Sequence, residues 1–165
     1  MFRHGLKAGV IGGIGALLLV IAGVVVELIP QLAVLSCCVT ILYLVLWLGV
    51  GVLAAFFAAK QAPLTTSDAT TAGATAGLVT GIIGGLLEMI ASGITALVRS
   101  PAEVLQQIPP EQLRSLEELG IDPQLFASPL FSVGTTFVCC CLFGSVVAAA
   151  LGAIGGLLYA VFTRE

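Results

Sequence analysis

Residues 72–96 read AGATAGLVTGIIGGLLEMIASGITA, and their spacing decides how the rest of the chain is read. Gly73, Gly77, Gly81 and Gly85 fall every fourth residue, so a helix lines them up along one face. A second line of small or polar residues runs beside them: Ala72, Ala76, Thr80 and Gly84, then Glu88 and Ser92. Glycine costs a helix about 1 kcal/mol relative to alanine. Close backbone approach to a neighbouring helix recovers that cost, and in lipid it is what small residues supply. Glu88 is the one charged residue in this membrane-length stretch.

The composition extends the same reading outward. Of the 165 residues, 59% are hydrophobic and 9% are charged, against about 25% charged in a soluble domain. Such a chain cannot cover a water-facing surface, but lipid can cover it. Four stretches, near Leu6–Ile29, Leu35–Ala59, Thr71–Val98 and Leu130–Phe162, reach the roughly 20 apolar residues needed to cross a bilayer. The expected fold class is an all-α membrane protein: one domain, residues 1–165, of four transmembrane helices. The first segment has a basic start at Arg3, His4 and Lys7, as a signal peptide does. Its apolar run from Ala8 to Val26 outlasts a signal h-region, which predicts a retained helix.

Between the apolar segments lie turns and one polar stretch. Pro30-Gln31 ends the first helix and Lys60-Gln61-Ala62-Pro63 the second. Leu64–Thr71 reads as a loop supplying an N-cap to the third. Residues 99–129 form a polar insertion in which short amphipathic helices are expected on the bilayer surface or capping the bundle. Ser100-Pro101-Ala102-Glu103 fits one helix start. A second helix is expected over Pro110–Leu119 with Gly120 as its stop, and Asp122-Pro123 suggests a further turn.

The two halves resemble each other. At an offset of 68 residues Gly5, Gly9 and Gly13 match Gly73, Gly77 and Gly81. At an offset of 103, Cys37-Cys38 matches Cys140-Cys141 and Leu48-Gly49 matches Leu151-Gly152. The pattern predicts two helical hairpins, 5–62 and 70–165, the second carrying the insertion. A pseudo-two-fold along the membrane normal is the expected relation between them. With both termini cytoplasmic, Arg3, Lys7, Lys60 and Arg164 lie inside and Arg99 and Arg114 outside, which follows the positive-inside rule. The insertion 99–129 then faces the outer side.

Three glycine ladders are the candidate packing faces: Gly5, Gly9 and Gly13; Gly73, Gly77, Gly81 and Gly85; and Gly144, Gly152 and Gly156 with Ala148 between them. They can close the bundle, or leave a spare face for another membrane subunit or a second copy. Glu88 is the leading candidate polar site, because intramembrane acids mark ion or proton paths. Tyr43, Trp47 and Ser145 stand at depths from which they could donate hydrogen bonds to it. The plainer reading of Glu88 is a hydrogen-bonded structural residue. Cys37, Cys38, Cys139, Cys140 and Cys141 start the second and fourth helices. They are small packing residues or, in an oxidising compartment, disulfide partners. No Cys-x-x-Cys spacing points to a metal, and no cofactor is expected.

Several functional classes fall away. There is no catalytic constellation and no Walker-type loop, and the Gly-rich runs lack the preceding strand a nucleotide fingerprint requires. The six basic residues are scattered, so nucleic acid is not an expected partner. Four Gly-laddered helices with a buried Glu resemble the proteolipid rotor subunits of ion-driven ATPases. Glu88 in the third helix, with a long insertion after it, departs from that pattern, and the assignment is set aside. The expected function is non-enzymatic: an accessory or scaffold subunit, or a self-associating bundle, packed through glycine faces. The alternative is a small channel or carrier using Glu88 as its ion, proton or substrate site.

Overall fold

The computed structural model describes residues 2–28, 35–60, 65–98, 109–118, 120 and 128–163. Among them are four apolar helical spans and one short polar helix. Helix α1 runs Phe2–Leu28, α2 Leu35–Ala59 and α3 Thr66–Val98. The short helix α4, Pro110–Glu118, lies in the polar insertion. Helix α5, Pro129–Thr136, continues through a π-helical segment, Phe137–Phe143, into α6, Gly144–Phe162. All four long helical units are long and apolar enough to cross a membrane, and the chain is a multi-pass membrane protein.

Burial follows the opposite rule from a soluble bundle. The buried hydrophobic residues described are alanines, apart from Val20 and Val50. Large side chains point outward, with Leu18 64% and Val146 67% exposed. In water this much exposed apolar surface would drive aggregation. In a bilayer it is the solvated surface, and helix association rests on close backbone packing.

The glycine faces supply that packing. The α3–α6 interface is the most extensive, and its helices run antiparallel, with Gly73 opposite Gly152 and Gly156, Gly77 opposite Ala148, and Gly81 opposite Ser145. A Cβ added to Gly73 would stand 2.2 Å from the Gly152 carbonyl oxygen, and one added to Gly152 would stand 2.4 Å from the Gly73 carbonyl oxygen. Only hydrogen fits at either place. The α1 ladder packs on α3 in parallel: Gly5 on Ala72 and Thr75, Gly9 on Ala76 and Val79, Gly13 on Ile83. Thr80 is fully buried in this seam. Its Oγ1 lies 2.9 Å from the Ala76 carbonyl oxygen and 3.1 Å from that of Gly9, so its one proton is shared between two helices.

Neighbour relations differ from those of the expected two-fold, which would set α1 opposite α3 and α2 opposite α6. Instead α1 lies against α3 and α2 against α6, while α2 and α3 also touch. Helices α1 and α6 take the far corners. Both α1–α3 and α2–α6 are parallel contacts, the second seen where Gly51 meets Gly152 and Phe56 meets Tyr159. Each of these contacts runs along a glycine face: Gly5, Gly9 and Gly13 seat α1 on α3, and Gly152 and Gly155 seat α6 on α2.

Helix starts also shift from expectation. Helix α3 begins inside the stretch read as a loop. The Thr65 hydroxyl accepts from the Asp68 amide at 3.2 Å, and Asp68 Oδ2 accepts from the Thr65 amide at 3.3 Å, a reciprocal cap. The hydroxyls of Thr70 and Thr71 then bond carbonyls four residues back, at 2.8 Å each, which hides their polarity within the helix. At α5, Ser128 caps the chain by accepting from the Phe131 amide at 3.2 Å. Gly120 has φ 73°, the left-handed conformation expected of a stop after α4. The expected helix start at Ser100–Glu103 and the turn at Asp122-Pro123 lie outside the described residues.

Candidate functional site

Tyr43 on α2 and Glu88 on α3 meet across the antiparallel α2–α3 contact. The Tyr43 hydroxyl donates to Glu88 Oε1 at 3.0 Å. Trp47, one turn beyond Tyr43, packs against it with ring centroids 5.9 Å apart and planes tilted by 48°. The helical repeat puts both rings on one face of α2, and that face is turned toward Glu88.

These groups border a cavity of about 240 Å³. Gly81, Gly84 and Gly85 form its floor on α3, Leu44 and Thr40 join the two aromatics on α2, and Cys139, Cys140 and Gly144 close the far side. The same glycines hold the neighbouring helices close: a Cβ at Gly81 would meet Ser145 and Ala148, one at Gly85 the backbone of Cys140 and Cys141, and one at Gly84 the side chain of Ala16. Leu44 is 41% exposed and Thr40 and Cys139 are exposed too, so the cavity opens at the side of the bundle. Glu88 stands ten residues before the Val98 end of α3, and Cys139 ten after the Pro129 start of α5. At 1.5 Å per residue the site is about 15 Å in from that end of the bundle, and its mouth faces lipid.

The π-helical segment shapes the far wall. The Gly144 amide bonds the Cys139 carbonyl five residues back rather than four, the π pattern that recurs at functional positions in helices. Gly144 itself lies outside the glycine seam it was expected to join: steps of four overrun the repeat of about 3.6 residues, so Ser145 takes the place against Gly81, while a Cβ at Gly144 would meet only its own helix, at 3.6 Å, and the residue lines the cavity. Gly85 packs on the backbone of Cys140 and Cys141 within the π segment.

Of the four residues expected to gather, the structure brings Glu88, Tyr43 and Trp47 together. Ser145 does not join them. It is buried against Gly81 and its hydroxyl bonds the carbonyl of Cys141 in its own helix, the usual way a serine satisfies itself within a helix. Cys38, Cys139, Cys140 and Cys141 are free thiols, so the alternative of a disulfide is not realised among them; the side chain of Cys37 lies outside the described residues. Their placement on helices, with Cys139 facing outward, fits packing and lining positions. Among the described residues no group of His, Cys, Asp and Glu is arranged to hold a metal ion. Thr40, Leu44 and the wall cysteines escaped notice as cavity residues. Only the helical phase of Tyr43 relative to Thr40 and Leu44 carried that signal.

Comparison with family models, with characterised proteins and with solved structures finds no match to this chain. Function therefore rests on the site.

Proposed function

We propose that the protein is a non-enzymatic, multi-pass membrane protein that works as a small carrier or channel, with Glu88 as its binding group inside the bilayer. The carrying observation is the Tyr43–Glu88 hydrogen bond at the edge of a side-opening cavity. A glutamic acid serving packing alone has no use for empty space beside it. Here one oxygen is fixed by Tyr43, while Oε2 takes no protein partner among the described residues and is not sealed in. Intramembrane acids placed in this way serve ion and proton paths.

The test is flux into proteoliposomes loaded with a pH-sensitive dye. Glu88→Gln is expected to lower proton-coupled flux by about tenfold or more, with helix content unchanged by circular dichroism. Wild-type flux no greater than that of protein-free liposomes removes the carrier reading.

A subunit role is the second reading. Most glycine faces are consumed inside the chain, but Gly23 and Gly49 meet nothing within 4 Å. Gly49 is exposed on α2, where a second helix could approach. On this reading Gly49→Leu strips a partner or second copy from the wild-type complex in native mass spectrometry. A wild-type monomer travelling alone counts against it.

We further read the hairpins 5–62 and 70–165 as a duplicated unit set side by side. The support is the shared use of matched positions: at the 68-residue offset Gly5 and Gly9 match Gly73 and Gly77, and the first pair seats α1 on Ala72, Thr75, Ala76 and Val79 while the second seats α3 on Gly152 and Ala148. The basic residues favour cytoplasmic termini and an outward-facing insertion 99–129.

A further inference from the structure

We propose that the Glu88 cavity binds an organic ammonium ion with an apolar tail, which enters sideways from the lipid between α2 and the π segment. This rests on the reading of Glu88 as a binding group. The lining decides the class. Beside the Glu88 carboxylate the side-chain oxygens of the lining are the hydroxyls of Tyr43 and Thr40, and Leu44, Trp47 and the glycines add little to replace the water shell of an inorganic cation, which needs about six or more oxygen ligands at once. An anion meets a carboxylate and no basic residue in the lining. A neutral apolar molecule would cover Glu88 Oε2 without pairing it, which is costly. An ammonium group satisfies each term: its N–H donates to Oε2 in a charge-assisted bond, and the faces of Trp47 and Tyr43 attract the same charge.

Size and position decide the tail. A space of 240 Å³ equals about eight water molecules, enough for a head group and its first carbons. The rest of a chain must remain outside, where the exposed Leu44 and Cys139 border the mouth and hydrocarbon lies beyond. An amine that arrives neutral takes the carboxyl proton onto its nitrogen. Glu88 keeps the O–H electron pair, and the product is the same ammonium–carboxylate pair, with no net charge carried into the bilayer.

Trp47 is the only tryptophan in the chain and lines the cavity, so its emission reports on occupancy. Wild-type protein in phosphatidylcholine nanodiscs is titrated with dodecylamine, dodecanol and dodecanoate. The expected result is a saturable change with dodecylamine alone, weakened about ten- to a hundredfold in Glu88→Gln and largely retained in Glu88→Asp. Circular dichroism confirms that each variant is helical, and the ligand comparison on wild type stands even if a variant fails to fold. Equal saturable responses to dodecylamine and dodecanol overturn the ammonium assignment and leave an apolar pocket. A saturable response to dodecanoate overturns it in favour of an anion site. No saturable response to any of the three overturns the binding reading of Glu88 itself.

Discussion

Two ends of the same pair of helices are built in opposite ways. Toward the Thr66 end of α3 and the Phe162 end of α6, backbone lies on backbone: Ala69, Gly73 and Gly77 face Gly156, Gly152 and Ala148 with no room for a methyl group. Toward the Val98 end, α6 has given way to the π segment and α5, and the space beside Glu88 is open. Both ends use small residues. At the first they bring helices together with no space left over; at the second, Gly81 and Gly85 still close on Ser145, Cys140 and Cys141, and the open volume lies toward Tyr43 and Trp47 of α2. One glycine ladder thus closes a seam toward one neighbour and borders a cavity toward another.

The sharpest break in this contrast comes at the closed end. Gly152→Leu forces a branched side chain into the Gly73 carbonyl and the Gly77 backbone. It is expected to cost more than about 3 kcal/mol, because neither neighbour is a flexible side chain. The monodisperse peak should disappear on size-exclusion chromatography in mild detergent. A smaller effect is expected where polarity holds the seam. Thr80→Val keeps the shape and removes the hydrogen bonding to Gly9, a loss of about 0.6–1.7 kcal/mol by the scale of interhelical bonds in membranes, read from denaturant unfolding in mixed micelles. The smallest belongs to the open end. Gly144→Ala places a methyl group in ordinary contact at 3.6 Å and should shift stability by less than about 0.5 kcal/mol. A large loss there would mean that Gly144 packs in the seam after all.

Much of the architecture could be read from residue order. The four spans, the end of α2 at Ala59, the end of α3 at Val98 and the packing roles of Gly73, Gly77, Gly81, Gly152 and Gly156 follow from hydropathy and i, i+4 spacing, which are local properties. Glu88 and its two aromatic neighbours were legible because a lone acid in lipid must find a donor. Gly144 was misplaced because steps of four overrun a repeat of about 3.6 residues, so the seam of Gly156, Gly152 and Ala148 passes to Ser145. Ser145 was placed by depth alone, which does not say which neighbour it faces. Nothing in FVCCCLF, an apolar run without Pro or Gly, announces the π segment. Which helices become neighbours was hidden too, since it depends on how four grooved cylinders share their grooves.

Helix α3 touches every other membrane-spanning helix, which bears on how the protein is made. The ribosome delivers α3 before α6 exists. The groove of Gly73, Gly77 and Gly81 therefore enters the membrane without its final occupant and is wetted by acyl chains. Biogenesis then has two phases, first the threading of separate helices into lipid and later their lateral association. In the interval between them the nascent chain exposes its stickiest surface to whatever else is being inserted nearby.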